Sequence, residues 1–179
     1  ERFGKTVLAA AALRLVDQGR LDLDTTDRAT GDSLRGLLQH TAGHADYGGL
    51  PDYHAAVAAG DEPWTAAKLR RRVGDRRVFE AGQGWAYSNI GYLIVRERIE
   101  AATGAPLGEA LRALVFAPLG VEAFLVETRE QAAALPGLAD GYQPGWVYHG
   151  LLAGAPSEAA RLLDGLLSGR LLSSALLAE

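Results

Sequence analysis

Two groups of residues, far apart in the chain, have the types to do chemistry together. One is Lys5, at the head of the apolar run Lys5-Thr6-Val7-Leu8-Ala9-Ala10. The other is Tyr87-Ser88-Asn89, within the glycine-rich stretch Glu80 to Tyr92, E-A-G-Q-G-W-A-Y-S-N-I-G-Y. A lysine in the first turn of a helix sits where the helix dipole disfavours added positive charge. Burial pushes the same way, lowering the pKa and freeing a neutral amine to act as a base. A phenol nearby can share or relay the proton, and an asparagine amide can hold a substrate carbonyl or position the lysine. Together these are the parts needed to activate a serine hydroxyl without a histidine. Taken alone, the triplet also has a plainer reading, in which Ser88 or Asn89 caps the helix that follows.

Other candidates carry less. His40 and His44 stand four apart in Q-H-T-A-G-H-A-D, a spacing that suits a metal on a helix. Gly43 lies between them, however, and no third ligand stands at a recognised spacing. A His40 that fixes a turn by hydrogen bonds is the better reading. Lys68, Arg70, Arg71, Arg72, Arg76 and Arg77 suggest a phosphate site, but acidic residues are interleaved and no aromatic platform accompanies them, so they read as a solvated helix face. No Gly-x-Ser-x-Gly elbow, phosphate-binding loop, dinucleotide fingerprint or His-Glu-x-x-His is present.

The elements that must position these residues are mostly helical. Leu8, Ala11, Ala12 and Leu15 recur at the spacing of one buried face and predict a helix over Thr6 to Gln18, ended by Gly19. Arg20 to Asp24 reads as a short extended piece, and Asp32 or Ser33 as the cap of a short helix through Leu37, Leu38 and Gln39. Pro51 to Gly60 and Pro63 to Val73 predict two more helices. Gly82 and Gly84 allow the turns before Tyr87, and a buried helix runs from Ile90 through Ile99 to a stop at Thr103-Gly104. Leu107 to Val115 reads as a helix closed by Pro118-Leu119-Gly120, and Val121 to Val126 as a strand. Gln131 to Leu135 has no clear pattern, and Gly137 to Gly150 is a glycine- and aromatic-rich loop or strand region. Pro156 reads as the first residue of a helix carrying Leu162, Leu163 and Leu166, and Ser173 or Ser174 starts another.

Composition bounds the function. With 179 residues, 48% hydrophobic and 22% charged, the chain has the make-up of an ordinary globular domain. A net charge of −4 gives no reason to expect nucleic acid or an anionic membrane surface. No run approaches the roughly 18 apolar residues of a membrane span, and none reads as a signal peptide. Zero cysteines exclude disulfides, thiolate metal sites and a cysteine nucleophile. The chain also has no methionine, opens at Glu1 and stops at Glu179 within a young helix, so it reads as a piece of a longer chain, truncated at both ends.

Several motifs, in order, resemble one family. F-G-K-T-V-L-A-A-A-A-L-R-L-V-D-Q-G-R-L-D-L-D looks like the active-site helix of the serine β-lactamase and penicillin-binding-protein superfamily. The branch it resembles holds class C β-lactamases, D-alanyl-D-alanine carboxypeptidases and esterases. L-L-Q-H-T-A-G at 37–43 is similar to that branch's Leu-Leu-x-His-Thr-Ser-Gly segment, and Y-S-N-I-G-Y at 87–92 to its Tyr-x-Asn motif. A-P-L-G at 117–120 and L-L-S-G-R-L-L-S at 166–173 follow in the expected order.

The resemblance implies a single partial α+β domain over residues 1–179, mostly the helical lobe, with the antiparallel sheet largely missing. It also implies a serine hydrolase that opens an amide or ester (a β-lactam, D-alanyl peptide or small ester) through an acyl-enzyme. Lys5 and Tyr87 take the catalytic roles, and Asn89 positions substrate and lysine. Neither a cofactor nor a metal is implied. The partner is a small molecule or peptide, and periplasmic or secreted work is the family habit. The sequence leaves oligomeric state open.

The pattern breaks at one position. Three residues before Lys5, where the resemblance implies serine, stands Arg2. An arginine has no attacking oxygen. Either residues including the serine are missing where E-R-F-G abuts K-T-V, or the chain is an inactive binding or sensor module; Tyr87 and Asn89 favour the first. The family's third motif, Lys/His-x-Gly, is expected beyond Glu179. Tyr148-His149-Gly150 matches it superficially but precedes the Leu162 helix, and His149 receives no role.

Overall fold

A computed structural model describes residues 2–28, 30–74 and 77–178, Arg2 by its backbone only. Arg76, one of the arginines in the basic run, lies outside the described residues.

The architecture follows from two helices. Helix α1 (Arg2–Asp17) buries Val7, Leu8, Ala11, Ala12 and Leu15 completely, the face that the spacing predicts. Its end is set by Gly19 at φ 67°, whose N–H returns to Val16 O. Helix α5 (Asn89–Thr103) lies against it through Tyr92, Val95 and Ile99 and stops at Gly104 in the left-handed conformation.

The other side of α5 faces a second, aromatic core. Ile90 and Leu93 pack there with Tyr47, Leu69, Trp146 and Tyr148. Helices α3 (Pro51–Ala58) and α4 (Ala66–Val73) hold that cluster, as do the turns Tyr47–Gly49 and Pro144–Trp146. Trp146 donates to Asp61 O and Tyr148 to Trp64 O, so these two buried aromatics keep their polar atoms paired. The short α2 (Leu34–Leu38) starts at Ser33, whose hydroxyl accepts from Gly36 N.

Several expectations are corrected. Arg20 to Asp24 is a turn, not an extended piece, because the Asp22 carboxylate accepts from the N–H groups of Asp24 and Thr25. The helix expected over Leu107 to Val115 runs on to Leu119. It begins as α6 (Leu107–Leu111), widens into a π turn at Arg112–Phe116 and ends as α7 (Ala117–Leu119) before Gly120 at φ 61°. The widening lies just before Pro118, whose ring and missing N–H do not fit a regular i−4 ladder.

Strand β1 is Ala123–Val126 rather than Val121 onward, since Val121 N–H is spent on Phe116 O at the helix end. The unassigned stretch near Gln131 is α8 (Arg129–Ala133), opened by a capping box between Thr128 and Gln131. Strand β2 (Leu151–Gly154) is absent from the sequence reading. It pairs antiparallel with β1, Phe124 opposite Ala153 and Leu125 opposite Leu152.

Two helices close the described chain, α9 (Pro156–Leu167) and α10 (Ser174–Leu177), the latter capped by Ser173. The β1–β2 pair makes the only sheet among the described residues. No described helix is long and apolar enough to cross a membrane.

The basic run does have an aromatic companion. Lys68 Nζ and the Arg72 guanidinium lie 5.0 and 5.1 Å from the Trp64 ring centre. Three of its arginines also form ion pairs, Arg70 with Glu97 at 2.6 Å, Arg72 with Asp52 and Arg77 with Asp32 at 2.8 Å.

Candidate active site

Tyr87 and Asn89 are aimed by a seam between two loops. Residues 40–46 run beside residues 78–89 and hold them by backbone bonds: Val78 N–H to Gly43 O, Gly82 N–H to Thr41 O and Ala86 N–H to His40 O. Gly43 must be glycine. It sits at φ 83°, and a Cβ there would lie 2.2 Å from Phe79 O.

His40 is the described non-glycine residue with positive φ, 61°. It is kept there because its Nδ1 accepts from Ser88 N–H at 3.2 Å while its carbonyl takes Ala86. Its ring lies among those of Trp85, Tyr87 and Tyr92. The turn-fixing reading of His40 therefore holds. Burial lowers its pKa.

Ser88 settles the question of the cap. Its hydroxyl accepts from Gly91 N–H at 3.2 Å and donates to Ala45 O at 3.1 Å, so it starts α5 and is fully engaged. Asn89 is the first residue of the helix. Its backbone N–H donates to Asp46 Oδ1 at 2.9 Å, a carboxylate well placed at a helix N-terminus. With its backbone fixed, the Asn89 side chain is free to face α1.

There it meets Lys5. Lys5 Nζ donates to Asn89 Oδ1 at 2.7 Å, and Tyr87 OH donates to the same oxygen at 3.2 Å. Nζ also lies 4.9 and 5.4 Å from the ring centres of Tyr87 and Tyr92. Lys5 is 7% exposed and Asn89 6%, whereas Tyr87 is 38% exposed and forms the open side of the centre. The structure thus brings together all three residues singled out from the sequence.

A fourth residue joins them. His149, completely buried, places Nε2 at 3.1 Å from Lys5 Nζ. Burial above all pushes its pKa down to about 3, so the ring is neutral across the ordinary range. The one signal in the sequence is the superficial third-motif match Tyr148-His149-Gly150, which its place before the Leu162 helix argues against, and nothing in its spacing points at α1. His149 reaches Lys5 because β2, which begins two residues later, pairs with β1.

The position one helical turn before Lys5 belongs to Arg2, where α1 begins. The His40/His44 pair does not converge. His44 Nε2 bonds Asp32 Oδ2 at 2.9 Å, and no described group of three potential ligands could hold a metal. A cleft of about 380 Å³ opens between α4 and the first turns of α5, lined by Arg70, Val73, Arg77, Ile90 and Glu97 among others. It contains none of the four residues of the centre, and its arginines are paired with Glu97 and Asp32.

Comparison with known proteins gives the family and the fold. A family model described as "Beta-lactamase" matches residues 4–179. The chain is 31% identical over 127 residues to penicillin-binding protein 4* of Bacillus subtilis (strain 168), covering 66% of this chain and 26% of that protein. Among solved structures it resembles D-amino acid amidase from Ochrobactrum anthropi SV3 in complex with L-phenylalanine amide, at 27% identity and TM-score 0.78, over 99% of this chain and 57% of that one. A D-stereospecific amidohydrolase from Streptomyces sp. shares the fold at 24% identity and TM-score 0.83, over 99% of this chain and 62% of that one. The chain therefore spans a quarter to three fifths of the relatives it matches.

Proposed function

The chain belongs to the beta-lactamase family, and we propose that its Lys5–Tyr87–Asn89 centre receives the carbonyl of a small amide or ester and handles the protons of an acyl transfer. The observation that carries this reading is the shared oxygen. Asn89 Oδ1 accepts from both Lys5 Nζ and Tyr87 OH, so amine and phenol are held at one point with a short path for a proton.

In the reaction these groups serve, a hydroxyl adds to the substrate carbonyl and passes its proton to Lys5 or Tyr87. The same proton is delivered to the departing amine or alcohol. Water then repeats the sequence and releases the acid. Tyr87 suits the outer role because it is the exposed member, and Lys5 the inner one. D-Amino acid amidase was solved with L-phenylalanine amide. Amino acid amides are accordingly the first substrates to try, with penicillins and small esters beside them.

One observation favours a second reading. Arg2 occupies the helical position one turn before Lys5, and the Ser88 hydroxyl is committed to Gly91 and Ala45. A chain with this sequence would bind an amide or ester without forming an acyl-enzyme. Intact-mass measurement after treatment with a fluorophosphonate or a penicillin separates the two. An adduct on the chain that disappears in Tyr87→Phe supports the hydrolase. An inert chain that gains an adduct as Arg2→Ser supports the binding module. Absence of an adduct in both, with no saturable binding of penicillin, removes the centre from consideration.

A further inference from the structure

We propose that His149 is a positioning residue that acts through Lys5, its Nε2–H donating to Nζ and holding the lysine as a neutral amine. The inference deepens the acyl-transfer reading, since it assigns the group that keeps the base ready.

The ring's single proton can be placed favourably on one nitrogen only. His149 is completely buried, and its Nδ1 has no hydrogen-bond partner. The other nitrogen faces Lys5 Nζ at 3.1 Å. A neutral imidazole carries one N–H and one bare nitrogen. With the proton on Nδ1, a buried N–H would be left without an acceptor. With it on Nε2, the N–H points at Lys5, and only the weaker acceptor role of Nδ1 goes unmet. The second tautomer requires Lys5 to present a lone pair.

The surroundings bear on Lys5 from several elements. Arg96 of α5, which donates to Tyr148 O and pairs with Glu100, adds positive charge beside His149. His40, from the loop after α2, is neutral at ordinary pH. Against these, Asn89 Oδ1 and the faces of Tyr87 and Tyr92 favour an ammonium, and Asp46 stands behind the Asn89 backbone. The amine can satisfy both of its closest partners at once. It donates to Asn89 Oδ1 and accepts from His149, whereas an ammonium could meet His149 only by donating to Nε2, with the ring proton left on the partnerless Nδ1.

The composition makes the test direct, because the chain has two lysines, Lys5 and Lys68, and four histidines. Nitrogen-15 labelling of histidine in the unaltered chain reads the tautomer of His149 without any substitution. Nε2–H is expected, and Nδ1–H overturns the proposal. In a Lys68→Arg background, labelled Lys5 is the sole lysine signal and its titration midpoint can be followed by NMR. His149→Leu, which removes the donor, is expected to raise that midpoint by a pH unit or more. His149→Gln, whose amide can still donate, should restore it. A fall in the midpoint, or no change, in a folded His149→Leu chain overturns the proposal. These readouts do not depend on turnover, so a missing probe adduct would count against the acyl-transfer reading alone.

Discussion

Lys5 Nζ and Asn89 Oδ1 meet at 2.7 Å across 84 residues of chain, in a contact that solvent barely reaches. It joins the first turn of α1 to the first residue of α5, the two helices on which the main core is built. The site is thus part of the helix–helix interface, and its precision follows from core packing.

Asn89 should therefore matter for stability as well as function. Asn89→Leu leaves the buried Lys5 without its closest acceptor and is expected to cost about 1–3 kcal/mol. Asn89→Asp, which keeps an acceptor oxygen facing Lys5, should cost less. Urea unfolding of the two variants tests the order.

The two loop glycines should respond unequally to alanine. Gly82 has φ 81° but open space where a Cβ would stand, so Gly82→Ala should cost only the backbone penalty of about 1 kcal/mol. Gly43 has φ 83° and a backbone oxygen 2.2 Å from the same point, so Gly43→Ala must move the seam that carries Tyr87. A loss of about 2–3 kcal/mol is expected, with a changed Tyr87 environment in the near-ultraviolet circular dichroism spectrum.

Asp32 anchors the far side of the same loop. It is completely buried, bonded to His44 at 2.9 Å and Arg77 at 2.8 Å. Burial pushes its carboxyl pKa up, but the bonds from His44, Arg77 and Thr30 outweigh this and leave it below the usual range. The unfolded state therefore takes up the proton first as pH falls. The Asp32 contribution is complete above an unfolded carboxyl's pKa of about 3.9 and is lost as pH falls through the folded value. Asp32→Ala, which strands Arg77, should cost about 3 kcal/mol at neutral pH by thermal or urea unfolding.

His149 should dominate a higher pH window. Its folded pKa of about 3 lies below its ordinary value of 6.5, so between them the unfolded chain binds the extra proton. Stability from this group is whole above 6.5 and falls as pH drops toward 3, on the order of 1 kcal/mol per pH unit. His149→Gln, with nothing to titrate, should flatten unfolding free energy against pH between about pH 6 and 4. An equal slope in both chains would place the acid sensitivity elsewhere.

The sequence by itself determined the helices and the three polar residues that face one another. Leu8, Ala11, Ala12 and Leu15 fix the buried face of α1, and Tyr87 and Asn89 stand two apart at the head of an apolar helix, a local spacing that marks them before the loop seam aims them. The capping box Thr128-x-x-Gln131 is equally local, since both of its residues lie within one turn of the chain.

What only the tertiary structure decided is where distant pieces meet. Strand β2, Leu151–Gly154, contains alanine and glycine and has little preference of its own; it is a strand because β1 offers a row of unpaired backbone groups. That pairing carries His149 to Lys5. No period or propensity encodes such a contact, because its cause is the burial of one segment against another 144 residues away.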